Sequence, residues 1–307
     1  MRSRPKTPAG FLRLRPAKAE ETVSEGRRLR QQLEAYGVRP RKRWGQNFLV
    51  RPQVAQRIVD ACLLSSDRVV VEIGPGTGAL TGLLGAAARH VLAVERDRGL
   101  AALLRDELGD WGKVEIVEAD FLEIDLPALA RVAEAGKLIV VGNLPYSITT
   151  PLLTRLIEER AAIETAVVLV QREYAARLAA AAGTPDYGSL TVYARYYVTL
   201  EPLFNVPPSA FWPKPEVEST LLRIRFRTRP PVEVPDEERF FELVRAAFGQ
   251  RRKTLGNALA LAYDGDRDLA ARVLEVAHVV AARRGETLEI DEFARLARAD
   301  AKVRGGS

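Results

Sequence analysis

One cysteine, one methionine and two histidines stand in 307 residues, and each scarcity removes a class of chemistry. A lone Cys62 can form no internal disulfide and no cysteine-based zinc site, which points to a reducing compartment, the cytoplasm. With only His90 and His278, neither a multi-histidine metal centre nor histidine-driven catalysis is expected, and no metal is expected at all. Both histidines read as surface or packing residues. Long hydrophobic runs are missing too: none approaches the roughly 18 apolar residues of a membrane span, so no membrane partner is expected. The basic N-terminus has no secretory-type apolar stretch behind it, and Glu20, Glu21 and Glu25 are out of place in a transit peptide.

What is present fits a soluble globular chain, 47% hydrophobic and 28% charged, long enough for one large domain or two ordinary ones. The charge is unevenly placed. Up to Trp44 there are 13 Lys/Arg against 4 acids, so the net +6 of the whole chain leaves −3 for the remainder. A concentrated basic segment is the footprint of a polyanionic partner. Residues 1–37 read as a basic tail ending in a short helix. Thr22-x-x-Glu25 offers a capping box, Leu29, Leu33 and Tyr36 follow at helical spacing, and Gly37 stops it.

From there short Val/Ile-rich runs alternate with helical stretches: "RVVVEIG" (68–74), "HVLAVE" (90–95), "KVEIVEAD" (113–120), "KLIVVGN" (137–143) and "TAVVLVQ" (165–171). Near-continuous hydrophobicity in such runs marks strands buried on both faces, and the alternation predicts a doubly wound α/β sheet. "SLTVYARYYVTLEPLFNV" and "ESTLLRIRFR" continue the β pattern and predict an antiparallel edge hairpin. After "RPPVEVP" the strand pattern stops, and every later segment is amphipathic at helical spacing. The expected division is 38–230 for the sheet domain and 231–307 for a small helical domain.

Chemistry concentrates at the strand ends. Glu72-x-Gly74-Pro75-Gly76-Thr77-Gly78 leaves the first strand and opens a helix, where backbone can approach a ligand closely. Taken alone it also satisfies a loose dinucleotide fingerprint. Glu95, Asp120 and Asn143 then close three successive strands, in the crevice where open α/β sheets bind ligands. Asn143-Leu144-Pro145-Tyr146 resembles the motif of S-adenosylmethionine-dependent methyltransferases that act on exocyclic amino nitrogens. The N6 lone pair of adenine is delocalised into the ring and reacts poorly. Carbonyl oxygens of the asparagine and a neighbouring peptide, accepting from the N6 hydrogens, favour a pyramidal and nucleophilic nitrogen. Pro145 stiffens the turn and is expected to leave its own carbonyl free, while Tyr146 offers a face for the extruded base.

"KRWGQNFL" (42–49), "VEIGPGTGALT" (71–81), "EADFLEID" (118–125), "GNLPYSITTPLL" (142–153), "PPSAFWPKPEVEST" (207–220) and "AFGQRRKTLGNAL" (247–259) together resemble the KsgA family of rRNA adenine dimethyltransferases. The resemblance runs from about residue 36 to 300 in the family's order. It implies a Rossmann-like class I methyltransferase sheet, S-adenosylmethionine as cofactor, and two adjacent adenosines in a 3′-terminal hairpin loop of small-subunit rRNA as target. It places Asn47, Leu49, Gly74, Gly76, Glu95, Asp120 and Asn143 around the cofactor. Within the catalytic stretch Asn143, Leu144, Pro145 and Tyr146, Asn143 and Tyr146 would hold the adenine, with Phe211 as its second stacking surface. Trp212 stands where a small residue is common. Arg251, Arg252 and Lys253, read as opening a helix, and Arg41, Lys42 and Arg43 are expected to contact phosphates of the small ribosomal subunit precursor. A monomer is expected. Two alternatives share the fold: an Erm-type enzyme acting on large-subunit rRNA, and a non-catalytic assembly or transcription factor.

Overall fold

The structure, a computed structural model, describes residues 19–40, 45–250 and 252–305, with the side chains of 19–26 outside that description. Arg41, Lys42, Arg43 and Arg251 therefore lie outside the described residues. The described residues pack as two units, one of those up to Arg172 plus Glu201–Phe226, the other of Glu173–Leu200 plus those from Arg227.

The first unit is built on the runs expected to be strands. In chain order they are β1 (Phe48–Leu49), β2 (Val69–Ile73), β3 (His90–Glu95), β4 (Val114–Glu118), β5 (Leu138–Asn143), β6 (Ile163–Gln171), β7 (Val198–Val206), β8 (Phe211–Trp212) and β9 (Ser219–Phe226). Seven form one sheet in the order β4-β3-β2-β5-β6-β9-β7, and β1 and β8 form a separate two-stranded ribbon. The pairs β2–β3, β3–β4, β2–β5 and β5–β6 are parallel, while β9 runs antiparallel to β6. Every residue of β2 is buried, as continuous hydrophobicity requires, whereas in the outer strand β4 only Val114 is buried.

Ahead of β1 the chain makes α1 (Ala19–Ala35), and between strands α2 (Pro52–Ala61), α3 (Thr81–Ala87), α4 (Arg98–Leu108), α5 (Leu126–Val132) and α6 (Thr149–Glu158). Their starts are chemically marked. Proline occupies the first turn of α2, and Asp97 caps α4 by accepting from Gly99 N–H at 2.9 Å and Leu100 N–H at 3.3 Å. From β2 the chain moves outward through β3 and β4, then returns to the other flank of β2 as β5. That reversal opens a crevice at the carboxyl ends of β2 and β5.

The second unit holds α7 (Arg172–Ala179), α8 (Ser189–Tyr197), α9 (Glu237–Gly249), α10 (Leu255–Ala260), α11 (Arg267–Val276) and α12 (Ile290–Gly305). Its core is aromatic: Tyr196 lies 5.2 Å from both Phe240 and Phe241, between ring centroids, and Phe293 is fully buried.

Three expectations change. "SLTVYARYY" is helix α8, not strand, and only "VTLEPLFNV" is extended. Its β-branched and tyrosine residues favour a strand locally. Burial of Val192 and Tyr196 against the second unit's core outweighs that preference. The same packing draws Glu173–Leu200 into the helical unit, so that unit takes in more chain than the stretch after residue 231. Finally, α1 begins at Ala19, three positions ahead of the Thr22 capping box.

Candidate active site

A cavity of about 290 Å³ sits at the carboxyl ends of β2, β3 and β5. Asn47, Leu49, Gly74, Gly76, Glu95, Asp120, Asn143 and Pro145 all line it, so eight of the sequence-derived positions meet there.

Gly76 shows why a glycine is needed in the loop after β2. Its φ is +59°, and a Cβ would stand 3.0 Å from the Phe48 ring, so a side chain would meet both strain and a clash. That close approach lets the Gly76 N–H reach Glu95 Oε2 at 3.2 Å, while Glu95 Oε1 accepts from Asp97 N–H at 2.9 Å. The Glu95 carboxylate is thereby fixed by two backbone donors. It is 4% exposed, and burial pushes its pKa up to about 7 against the pull of those N–H groups. Asp120 Oδ1 caps the short turn after β4 by accepting from Leu122 N–H at 3.0 Å, and Oδ2 lies 3.6 Å from Arg96. Capping and cavity lining are both true of this residue.

Asn143 ends β5. Its Nδ2 donates to the Asn47 backbone carbonyl at 2.8 Å. A carbonyl can only accept, so the amide is oriented with Oδ1 turned away from Asn47 as a spare acceptor. Asn47 in turn donates its own Nδ2 to the Gly45 carbonyl at 3.1 Å. Gly45, at φ +62°, lies so close to the 145–146 backbone that a Cβ would come within 3.2 Å of Tyr146 N. Segment 45–49 is thus laid directly over the motif, and β1 ties it to β8 by pairing Phe48 with Trp212 and Leu49 with Phe211.

The rest of the motif differs in part from expectation. The Pro145 carbonyl is not free: it accepts from Ile148 N–H and from the Thr149 hydroxyl, both at 3.1 Å, because the chain coils into helical turns immediately after it. Leu144 is a buried core side chain whose N–H donates to the Leu169 carbonyl at 3.0 Å. Tyr146 is half-buried beyond the cavity lining, its hydroxyl 2.8 Å from Ser219 Oγ. Phe211 is 3% exposed within the cluster that holds Phe48 and Leu49, so its ring has no open face here; Trp212 is the more exposed of the two. In the helical unit, Arg252 and Lys253 are exposed in the turn before α10, which starts at Leu255, rather than in a helix.

Two contributors escaped the sequence reading. Ser219, fully buried at the start of β9, is the partner of Tyr146, and only the fold brings them together across 73 positions. Glu72 was visible in the glycine motif but unassigned. It is 1% exposed on the cavity wall, and among the described residues neither its Oε2 nor the nearby Thr81 hydroxyl completes a hydrogen bond of good geometry. Burial, with the Glu95 charge adding to it, pushes the Glu72 pKa up to about 8. An orphaned carboxylate oxygen on the wall, a doubly anchored Glu95 and a close-approach glycine loop suit a polar, positively charged nucleoside ligand such as S-adenosylmethionine. Among the described residues there is no helix long and apolar enough to cross a membrane, and no cluster of His, Cys, Asp and Glu arranged for a metal ion.

Residues 37–296 match the family described as ribosomal RNA adenine dimethylase. The chain is 44% identical over 277 residues to ribosomal RNA small subunit methyltransferase A of Geobacillus thermodenitrificans, covering 89% of this chain and 94% of that protein. It is 43% identical over 272 residues to the protein of the same name from Bacillus cereus, covering 87% and 93%. Among solved structures it is similar to a dimethyladenosine transferase from Plasmodium falciparum, with TM-score 0.71 at 23% identity over 84% of this chain and 98% of that one. It is also similar to the 23S rRNA methyltransferase ErmE, with TM-score 0.63 at 30% identity over 82% and 99%.

Proposed function

Because the chain belongs to the ribosomal RNA adenine dimethylase family, we propose that this cavity performs N6,N6-dimethylation of two adjacent adenosines in the 3′-terminal hairpin loop of small-subunit rRNA. S-adenosylmethionine, the cofactor of this methyltransferase family, would when bound supply the methyl group as a sulfonium-activated electrophile, its S–CH3 bond breaking to leave a neutral thioether. Glu95 would take the ribose hydroxyls on its remaining lone pairs, Asp120 the exocyclic amine of the cofactor's base, and Gly74 and Gly76 the close backbone contacts. Asn47 and Leu49 would close the cavity from the ribbon side.

The observation that carries the reading is the fixed Asn143 amide. Its spare Oδ1 accepts one N6 hydrogen of adenine, and the Leu144 carbonyl accepts the other, since the Pro145 carbonyl is already engaged. Both contacts strengthen as the nitrogen becomes pyramidal, so they favour the transition state over the flat ground state. Each transfer adds a methyl to N6 and releases one proton to solvent. The alkylated amine is acidic enough to need no side-chain base, which suits a site without histidine. Each transfer also removes one N6 donor, and after the second both carbonyl acceptors have lost their partner. The site thereby stops at dimethyladenosine and lets it go. Tyr146 stacks on the extruded base, held at its hydroxyl by Ser219, a contact worth about 1–3 kcal/mol per base.

The enzyme would act in the cytoplasm as a monomer, with the sheet unit as methyltransferase domain and the helical unit, Glu173–Leu200 included, as rRNA-binding domain. The small-subunit target is favoured over the ErmE-type large-subunit target by the 44% identity to the Geobacillus protein against 30% to ErmE. Methyl mapping after incubation with undermethylated small and large subunits tests this. Label confined to adjacent adenosines of the small-subunit rRNA is expected; label in large-subunit rRNA, or none, refutes it.

A further inference from the structure

We propose that a cleft in the helical unit, between the end of α11 and one face of α12, is a phosphodiester-binding site that grips RNA; the proposal rests on the RNA-methylating reading above. The cleft is a shallow, solvent-open groove with a volume of about 240 Å³. One wall carries Arg295, Arg298 and Lys302, and spacings of three and four residues put them on a single face of α12. The small Ala299 between them leaves room for a ligand. The other wall is Val276, Ala277 and His278, and no carboxylate lines the cleft.

Charge compensation separates these cations from others in the chain. Arg239 grips buried Asp300 at 2.9 Å, and Arg223 reaches Glu201 at 2.7 Å; each charge there is cancelled locally. Arg298 instead donates to the Glu233 backbone carbonyl at 2.7 Å, and Arg295 Nε to the Ala277 carbonyl at 3.2 Å. A carbonyl orients a guanidinium without neutralising it. Glu292 lies 3.4 Å from Arg295, but Arg283 already holds it with contacts of 2.6 and 3.0 Å, so one negative charge is shared between two arginines. Lys302 is exposed and makes no ion pair among the described residues.

The remaining group is His278, the residue after the α11 cap. It adopts φ +53°, a left-handed conformation that glycine would hold with less strain, and its N–H closes the helix on the Glu275 carbonyl at 3.0 Å. Its exposed ring therefore stands on the cleft rim. Guanidinium groups held in place and charge-rich suit phosphate oxygens, which accept several N–H bonds at once. Arg295 also caps the end of α11, but that task occupies one of its five N–H groups.

The test uses the full-length enzyme and its Arg298→Gln/Lys302→Gln double variant. Affinity for a fluorescein-labelled RNA duplex is measured by anisotropy across a potassium chloride series, beside KM for undermethylated small subunits. The expected result is a salt slope smaller by about 2, one per lost phosphate contact, and a KM raised about tenfold. Lys302→Arg should restore most of its share, and Lys302→Glu, at an exposed position, provides a reading should the double variant unfold early. Unchanged slope and KM, with wild-type methylation intact, would overturn the proposal alone. Weakened binding to a polyglutamate peptide in place of RNA would also overturn it, by assigning the cleft to an acidic protein. Wild-type enzyme that neither binds RNA nor methylates it would instead sink the proposed function.

Discussion

The side-chain amide of Asn143 donates to the main-chain carbonyl of Asn47 at 2.8 Å, across 96 positions of sequence. The bond decides which end of the amide faces the cavity, and a rotated amide would present a donor where the proposed reaction calls for an acceptor.

Asn143→Ala should therefore lower single-turnover methyl transfer by about 10²–10³-fold, the range for loss of one preorganised polar group. S-adenosylmethionine affinity, measured by calorimetry, should fall less than tenfold. Asn143→Asp should be about as inactive, because a carboxylate repels the Asn47 carbonyl and leaves its aligned position. Retained turnover in either variant would remove Asn143 from the mechanism.

Ser219→Ala removes the hydroxyl partner of Tyr146. Thermal stability should drop by about 0.5–1.5 kcal/mol, the net worth of one buried hydrogen bond. The kinetic signature should be a several-fold higher KM for the small subunit, since an untethered ring stacks less well. A change confined to stability would show that the contact serves packing alone.

Phe211→Ala and Trp212→Ala separate the two rings of β8. Phe211 is the expected second stacking surface, yet it is nearly buried, so stacking requires its exposure when RNA binds. Catalysis should suffer more from Phe211→Ala than from Trp212→Ala. The reverse order in kcat/KM would assign the base contact to the indole.

The pH dependence of stability follows from Glu72 and Glu95, raised to about 8 and about 7 by burial. The folded chain keeps these protons at pH values where unfolded carboxyls, titrating near 4.3, have lost them. Stability without cofactor should fall as pH rises from about 5 through 8. The groups facing Glu72 are Thr81, Glu95 and the Cys62 thiol, itself pushed up to about 12 by burial. Glu72→Gln should flatten the fall and raise Tm by a few degrees at pH 8.5, on the order of 2 kcal/mol, in a melting series from pH 5 to 9. Parallel wild-type and variant profiles would mean that Glu72 titrates normally.

Strand positions were legible because burial on both faces writes itself as continuous hydrophobicity. "HVLAVE" is β3 residue for residue, and "KLIVVGN" loses only its first residue to become β5. The cavity residues were legible for a related reason: Glu95, Asp120 and Asn143 end three strands of one sheet, and a cap, as at Asp120, accounts for one such residue but not for three together. Helix α8 was not, because its Tyr- and Val-rich sequence favours a strand until the Phe240–Phe241 pair offers its rings. The Tyr146–Ser219 bond and the Asn47 contact were hidden for a plainer reason. Both join residues far apart in the chain, and no local pattern encodes such a meeting.

The β1–β8 ribbon is only two residues wide on each side, yet it holds Asn47 over Asn143. Its halves lie on either side of nearly the whole sheet in chain order. A ribosome translating this protein completes the parallel strands long before it delivers residues 211 and 212. The growing chain can thus lay down the parallel strands early, but the Asn143 amide, the proposed acceptor for adenine, is set only when the ribbon closes. Nascent and truncated chains ending before β8 also lack β9 and should hold the parallel strands without the ribbon that fixes Asn143.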